Sequence, residues 1–540
     1  MQFPLGFGEK IIISSIGLYT IYSFLGTLYV PIVFLLGLCV QICVWYKASR
    51  FWARLGVPTP PAWPGYGHIP QIVERGFHNC DTEWLQKYGK LFGTYSITQP
   101  EINIADPDLL KKVLVKDFHF FTDRRTFSMS KKSLFNRMVS ALKGDGWRRM
   151  RNAITPAFTG GKLKVTLPPM QKCVDTLCDI LNDQSDFVDG IDVKKIMSNL
   201  NFDIAAVTAF AVESDVQRNP NNEFIQHAKQ IAMIHRFSDW RVLLRTHFPY
   251  IVYALDEFLD IRIFLPEVQE YYLNNLTKVI QQRRQSPQVQ HSDFLQLLIN
   301  AADNANQEDS SFEHPQSGSS MLRKPWRMSD RDIVAQAVLF LTAGSETTAS
   351  TLTFACYLLA WHQDVQDRAY REIIGLVERN ETIPYNSLHS SMPYLDAILS
   401  ETLRLYPPGT RLFRECTEDY NLTDQLTIPK GCVVNVPVYA IHHCAEFYED
   451  PEKFDPERFF SKDKTQINPF TYLPFGYGPR NCIAMRFVQL QTKLTLSNII
   501  TKFLIEPCPK TEKMPPELDP QGFLHTKIPI RLNFKRRQVI

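Results

Sequence analysis

The chain has 540 residues, of which 44% are hydrophobic and 21% charged, a balance typical of a globular protein with a sizeable core. The net charge of +3 is too small to indicate a nucleic-acid-binding protein. Eleven cysteines are scattered without a Cys-x-x-Cys pair, which argues against both a disulfide framework and a zinc module.

The N-terminus carries a long apolar segment. No charged residue occurs from Ile11 to Tyr46, and about 20 apolar residues suffice to span a bilayer, whereas two spans would need about 40 and a turn. A cleaved signal peptide has a shorter apolar core of about 7–15 residues. Basic residues follow the segment and place the next domain on the cytosolic side: Lys47, Arg50 and Arg54. Residues 1–50 are therefore predicted to form an uncleaved membrane anchor, here assigned to the endoplasmic reticulum.

The residues after this anchor begin with an extended hinge. The proline-rich run Val57–Pro70 cannot continue a helix, so residues 51–70 are predicted to be a stiff spacer. Short alternating runs at Lys90–Ile97 and Glu101–Pro107 predict strands. Asp106 is a suitable N-cap for the helix that follows them.

The body of the chain, residues 71–540, is mostly helical by pattern and shows no internal repeat. Residues 300–329 are polar and lack periodicity, which predicts a disordered connector. A loop- and strand-rich region follows Tyr406, and a last helix follows Cys482. The expected fold class is one mainly α domain with small β-sheets (α+β).

One long apolar segment has a polar centre. Ser329 is a good N-cap, and Glu346 is the only charged residue from Ile333 to Trp361. Glycine, serine and threonine surround Glu346, and their hydroxyls can compete for carbonyls one turn back and open the helix. Such local conflict is typical of a functional site. A second membrane span and a core helix with satisfied polar groups are the alternatives.

Two charged motifs lie outside this segment. Glu401 and Arg404 are i,i+3 neighbours that can pair, with Arg458 as a third member of a buried network. The basic run from Lys143 to Lys164 places Trp147 and Arg151 on one helix face. They are expected to turn inward to an anionic group, while Arg148 and Arg149 face an acidic partner. A solvated surface is the alternative for both motifs.

A cysteine motif completes the pattern. Phe475, Gly478, Arg480 and Cys482 form F-x-x-G-x-R-x-C after the Glu401–Arg404 pair and the AGSETT segment at 343–348. In this order the motifs resemble the cytochrome P450 family of haem-thiolate monooxygenases. The resemblance extends from about Pro58 to the C-terminus and is closest to the microsomal animal branch that oxidises drugs and steroids and also contains thromboxane synthase.

The resemblance implies a fold, a cofactor and site residues. The P450 fold would follow the transmembrane helix, and Cys482 would be the thiolate ligand of haem b iron, an arrangement that favours cleavage of the O–O bond. Phe475 would shield the sulfur. Five residues would contact the haem propionates: Arg124, Trp147, Arg151, Arg414 and Arg480. Thr347 would hydrogen-bond dioxygen or its water, and Glu346 would help to deliver protons.

The same resemblance implies partners and a reaction. Electrons would come from NADPH through a flavoprotein reductase, with cytochrome b5 as a further candidate partner. The substrate would be a lipophile such as a steroid, fatty acid or xenobiotic, taken from an apolar pocket. Two alternatives remain: an isomerase that rearranges a lipid peroxide without reductase, and a non-catalytic haem-binding membrane protein. The presence of both Glu346 and Thr347 favours the monooxygenase.

Two departures from the family pattern stand out. Ala484 occupies a position where glycine is usual, at an expected tight contact between helix and haem. His443, Cys444 and Ala445 replace the usual Arg-Asp-Pro after His442. A metal site there would lack a fourth ligand, so we expect altered salt bridges in a surface loop.

Overall fold

The computed structural model describes residues 45–125, 133–185, 187–232, 266–286, 291–311, 327–380, 383–460, 467–520 and 522–537, with a few isolated positions elsewhere. The predicted anchor segment Ile11–Tyr46 lies almost entirely outside these residues. Within the described ranges, no helix combines the length and the apolar character needed to cross a bilayer.

Helices make up most of the described chain, as the sequence predicted. Their bounds are α1 Phe51–Arg54, α2 Ile69–Tyr88, α3 Pro107–Lys111, α4 Gly144–Ile154, α5 Gly160–Asp183, α6 Val193–Phe210, α7 Glu223–Ala232, α8 Pro266–Gln285, α9 Phe294–Ser311, α10 Asp330–Trp361, α11 Gln363–Asn380, α12 Tyr385–Ser390, α13 Pro393–Leu405, α14 Val438–His442, α15 Glu457–Phe460 and α16 Met485–Lys502.

The strands form three small sheets. Their bounds are β1 Leu91–Ser96, β2 Gln99–Ile104, β3 Ile191–Asp192, β4 Leu412–Glu415, β5 Tyr420–Thr423, β6 Leu426–Ile428, β7 Val433–Val436, β8 Phe503–Pro507 and β9 Arg531–Arg536. The largest sheet has the order β1-β2-β7-β4, in which β2 and β7 are parallel and the other pairs antiparallel. The others are β3-β9-β8 and the hairpin β5-β6. The predicted mainly α fold with small sheets is thus confirmed for the described residues.

Helix α10 is the centre of the molecule. It contacts α6, α8, α13 and α16, and most of its residues are buried. Ser329 and Asp332 form a capping box at its N-terminus: the Ser329 side chain accepts the Asp332 N–H, and the Asp332 side chain accepts the Ser329 N–H. Because α10 is buried on nearly every side, the polar residues at its centre occupy fixed surroundings.

The segment predicted to be a disordered connector, residues 300–329, begins as a helix. Helix α9 continues to Ser311, and residues 312–326 lie outside the described part of the chain. Two side-chain contacts stabilise the first part of this extension: Gln296 donates to Asn300 Oδ1 at 2.9 Å, and Arg284 pairs with Asp303 at 3.1 Å. Composition alone predicted a loop because it does not reveal these partners.

Candidate active site

A tight loop presents Cys482 immediately before α16. The N–H of Cys482 donates to the carbonyl of Phe475 at 2.8 Å, and that of Asn481 donates to Gly478 at 3.0 Å. Gly478 has φ of 75°, and a Cβ atom there would lie 2.0 Å from the carbonyl oxygen of Leu114. Only glycine fits this close approach, which explains the glycine in the motif.

The groups around the Cys482 sulfur have opposing effects on the pKa of its thiol. Burial raises the pKa of the thiol, whereas a hydrogen bond from the Ala484 N–H and the nearby charges of Arg124 and Arg151 lower it. Helix α16 begins one residue after Ala484, so its positive end also lies near the sulfur. A cation bound at the sulfur would complete this environment and hold the group as a thiolate.

Arginines from distant parts of the chain converge on the cysteine loop. Arg124 donates to the carbonyl of Arg480 at 2.8 Å, and Arg151 donates to the backbone and side-chain oxygens of Asn481, both at 3.0 Å. The Arg480 guanidinium lies 4.5 Å from the centre of the Trp147 ring. The structure thus brings together the side chains that the resemblance assigned to the propionates.

These arginines form no ion pair within the part of the chain that the structure describes. No carboxylate among the described residues forms an ion pair with Arg124, Arg151, Arg414 or Arg480, and Nε of Arg414 and Nε and Nη1 of Arg480 have no hydrogen-bond partner there. Burial, reinforced by the neighbouring arginines, lowers the pKa of Arg480 to about 9 and that of Arg414 well below its usual range. Buried unpaired cations are costly, so this cluster fits a dianionic ligand.

A cavity of about 240 Å³ is lined by Arg124, Arg151 and Arg480, by the cysteine loop and by α10. Cys482 and Ala484 line one side, and Ala343, Gly344 and Thr347 line another. Small residues at these positions leave room for a flat group between the cysteine loop and α10. Three aromatic residues in mutual contact form part of the cavity wall: Phe158, Phe294 and Phe340.

The centre of α10 is more regular than the sequence suggested. The expected opening is absent, because α10 is continuous from Asp330 to Trp361. The Thr347 hydroxyl donates to the carbonyl of Ala343 at 2.8 Å, and the Thr342 hydroxyl donates to that of Val338 at 2.9 Å. The hydroxyls therefore donate to carbonyls one turn back without interrupting the backbone of the helix. Thr347 lines the cavity with its oxygen lone pairs still able to accept a bond.

Glu346 occupies a different position from its neighbour Thr347. Its carboxylate pairs with Lys194 Nζ on α6 at 2.6 Å, and both side chains are about one-quarter exposed. Glu346 is absent from the cavity wall, whereas Thr347 lies on it. The sequence identified Glu346 as a candidate but offered no signal for Lys194, which is 152 residues away by subtraction.

The Glu401–Arg404 pair is fully buried. Nε and Nη2 of Arg404 donate to the two carboxylate oxygens at 2.7 and 2.8 Å, and Arg458 Nε lies 3.5 Å from Glu401. Arg404 also donates to the carbonyls of His442 and Pro451 at 2.8 and 2.7 Å. This network ties α13 to the 440–455 loop, and the surface-pair alternative is excluded.

His442 and His443 are buried, whereas Ala445 and Glu446 are exposed, so the expected surface loop begins only after the two histidines. His442 Nδ1 lies 3.0 Å from the carbonyl of Arg404, and its Nε2 accepts the N–H of Leu473 at 2.9 Å. His443 lies between the carbonyl of Leu405 and the carboxylate of Glu452, at 2.9 and 2.8 Å. No metal-binding group of His, Cys, Asp or Glu occurs among the described residues.

Sequence reasoning missed several cavity residues. Asn481 holds Arg151 from a variable position of the cysteine motif, and Phe158, Phe294 and Phe340, which line the cavity, belong to none of the motifs identified in the sequence. Phe118 and Phe121 are core residues and do not line the cavity.

Comparison with known proteins agrees with this geometry. Residues 57–534 match the Cytochrome P450 family. The chain is 36% identical over 487 residues to Cytochrome P450 3A13 of Mus musculus, covering 90% of this chain and 92% of the relative. It is 34% identical over 507 residues to Cytochrome P450 3A27 of Oncorhynchus mykiss, covering 93% and 94%.

The cavity contains Cys482 and is lined by arginines without ion-pair partners among the described residues, as expected of a haem-thiolate protein. The family match agrees, and the chain belongs to the cytochrome P450 family. It is a monooxygenase of the microsomal animal, drug-oxidising branch. When bound, the haem supplies an iron centre that activates dioxygen. Cys482 would ligate the iron, and the arginine cluster with Trp147 would hold the propionates.

Proposed function

We propose that this protein inserts one oxygen atom of O2 into a lipophilic substrate, a steroid, fatty acid or xenobiotic. The other oxygen atom leaves as water, which requires two electrons and two protons. The electrons come from NADPH through a flavoprotein reductase, with cytochrome b5 as a second donor. The observation that supports this most strongly is the cavity, which is lined by Cys482, Thr347 and three arginines, Arg124, Arg151 and Arg480, with the buried Arg414 close enough to feel the charges of Arg124 and Arg480.

The residues around the cavity have distinct proposed roles. Thr347 accepts a hydrogen bond from a water or protonated group in the cavity, since its own proton is donated to Ala343. Glu346 passes protons inward from the partly exposed ion pair with Lys194. Phe475 shields the sulfur, and the phenylalanine wall favours apolar substrates.

The proposed location is the endoplasmic reticulum membrane, with residues 1–50 as a single-pass anchor and the catalytic domain on the cytosolic side. The uncharged segment from Ile11 to Tyr46 and the basic residues behind it support this topology. Arg148 and Arg149 are exposed on α4, opposite the buried Trp147. Their charge suits the docking of an acidic reductase surface.

The carbon monoxide difference spectrum of the reduced protein tests the thiolate. We expect the red-shifted Soret band of a cysteinate-ligated haem, and its loss in Cys482→Ser, because a hydroxyl is not ionised at neutral pH. Cys444→Ser, which alters a half-buried cysteine outside the cavity, is the control and should retain the band. A band that survives in Cys482→Ser would contradict the assignment.

Turnover assays then distinguish the monooxygenase from the isomerase and from a non-catalytic haem protein. A screen of steroids, fatty acids and xenobiotics should yield hydroxylated products only with NADPH and reductase. Rearrangement of a lipid peroxide without NADPH would favour the isomerase instead. Absence of NADPH consumption with every lipophile, together with an unchanged Thr347→Ala variant, would favour a non-catalytic haem protein.

A further inference from the structure

Asp123 lies where three elements of the haem site meet. Its neighbour Arg124 donates to the carbonyl of Arg480 in the cysteine loop at 2.8 Å. The N–H of Glu415, at the end of β4, donates to Asp123 O at 2.8 Å. The N–H of Gly144, the first residue of α4, donates to Asp123 Oδ1 at 2.7 Å. Asp123 therefore connects α4 with β4 beside the arginine that contacts the cysteine loop.

The carboxylate of Asp123 caps a helix that has no cap of its own. Lys143 precedes α4 in an extended conformation, forms no side-chain cap and pairs instead with Glu415. The first N–H groups of a helix have no partner within it, and they form the positive end of the helix dipole. A carboxylate from elsewhere in the chain satisfies both conditions. The Thr122 hydroxyl donates to the same oxygen of Asp123 at 3.2 Å, which orients the carboxylate.

Helix α4 carries two of the residues expected to hold the haem. Trp147 lies three residues after Gly144, and its ring centre is 4.5 Å from the Arg480 guanidinium. Arg151 lies one turn further along and donates to Asn481 at 3.0 Å. A change in the position of the helix start would therefore move both side chains relative to the cysteine loop.

Asp123 also brings negative charge to the arginine cluster. Burial, followed by the charge of Arg124, lowers the pKa of Arg480, and the charge of Asp123 opposes both without forming an ion pair. Glu415, which lies opposite Asp123 in the bridge, is paired with Lys143. Because Asp123 is half-buried, solvent screens its charge less than the charge of an exposed acid.

We propose that Asp123 is a positioning residue of the haem site, whose carboxylate holds the start of α4 and whose negative charge favours the oxidised form of the haem. The inference rests on the proposed contacts of Trp147 and the arginines with the haem propionates. A negative charge near the iron opposes reduction, because reduction removes positive charge from the iron. Asp123 would thus influence how readily the protein accepts an electron.

Substitutions of Asp123 separate the two effects. Asp123→Asn keeps an oxygen that can accept the Gly144 N–H but removes the charge, whereas Asp123→Ala removes both. The matched control is Asp145→Asn, which removes a charge from the first turn of the same helix, where the Asp145 side chain is 76% exposed. The measurements on haem-loaded protein are the one-electron reduction equilibrium by spectroelectrochemistry and the rate of haem loss to an apoprotein scavenger.

We expect Asp123→Asn to shift the reduction equilibrium at least about threefold towards the ferrous form, with haem loss nearly unchanged. Asp123→Ala should show a similar shift and about fivefold faster haem loss, as expected of a lost helix cap. Asp145→Asn should match the unaltered protein in both measurements.

An unchanged equilibrium in Asp123→Asn, or an equal shift in Asp145→Asn, would overturn the electrostatic role. Haem loss from Asp123→Ala that is no faster than from Asp123→Asn would overturn the role in holding α4. The carbon monoxide spectrum of each protein is recorded first. Absence of the thiolate band from the unaltered protein would contradict the proposed function together with this inference, whereas its presence with unaltered potentials would contradict the inference alone.

Discussion

At the scale of single residues, the backbone at Gly478 and the unpaired charge at Arg480 determine the site. Gly478 allows the cysteine loop to pass against Leu114, which directs Cys482 into the cavity. Arg480 is buried beside Arg124 and Trp147 and has donors without partners among the described residues. Neither feature is stabilising in isolation, so each is expected to matter chiefly when haem binds.

Replacing Gly478 with alanine should abolish most haem incorporation. The added methyl group meets a backbone carbonyl at 2.0 Å and the residue keeps φ of 75°, so the loop must move. The measurement is haem per polypeptide, with Gly375→Ala as control. Gly375 lies within α11 with no atom near the new Cβ, so its substitution should be neutral or stabilising by up to about 1 kcal/mol. Equal haem content in the two variants would contradict this prediction.

Replacing Arg480 with alanine should increase the rate of haem loss about tenfold or more. The change removes a buried donor that fits a propionate, and such charge-assisted bonds are worth about 1.5–3 kcal/mol. Haem loss to an apoprotein scavenger gives the rate. Arg148→Ala, which removes an exposed arginine on α4, should retain haem like the unaltered protein. Haem loss from Arg480→Ala that is no faster than haem loss from Arg148→Ala would refute the assignment.

At the scale of elements, a buried ion pair joins α13 to the 440–455 loop. Arg404 makes the connection by donating to Glu401 and to three carbonyls of that loop, while Asp455 N donates to Glu401 at 3.1 Å. Burial raises the pKa of Glu401, and Arg404 is the largest opposing influence. The pair therefore depends on both partners.

Glu401→Gln should destabilise the protein by about 3–5 kcal/mol, because it leaves Arg404 buried without its counterion. Thermal unfolding followed by loss of the Soret band measures the change. The control is Lys535→Met, which breaks a largely exposed pair with Glu506 at 2.6 Å and should leave the midpoint nearly unchanged. Similar midpoints for the two variants would show that the buried network is dispensable.

At the scale of the whole molecule, buried histidines couple the fold to pH. Burial, followed by the charge of His443, lowers the pKa of His78 to about 4 and that of His442 to about 3. Both values lie below the ordinary histidine pKa near 6.5. Between these values the unfolded chain binds protons that the folded chain does not, so stability falls as pH decreases below about 6.5.

The free energy of unfolding should therefore decrease on acidification from about pH 6.5 to 4, by up to roughly 1.4 kcal/mol per pH unit for each histidine. His78→Phe should remove the contribution of one histidine to this slope, up to roughly 1.4 kcal/mol per pH unit. The phenylalanine ring can keep the edge contact with Tyr439. Denaturant unfolding at several pH values measures the slope, with the variant's own pH 7.5 value as reference. An unchanged slope would mean that His78 does not contribute.

The sequence by itself determined the features that depend on near neighbours. The cap at Ser329, the cap at Asp106 and the pairing of Glu401 with Arg404 each involve a few adjacent positions, and the structure has all of them. The motif around Cys482 also identified the family. Short-range backbone geometry sets these features, so a local pattern is sufficient to predict them.

Only the tertiary structure decided which distant groups meet. It placed Lys194 on Glu346, buried His443 between Leu405 and Glu452, kept α10 continuous, and brought Asp123 to the start of α4. Such contacts join residues far apart in the chain. They follow from how whole elements pack, and no local pattern of residue types encodes that packing.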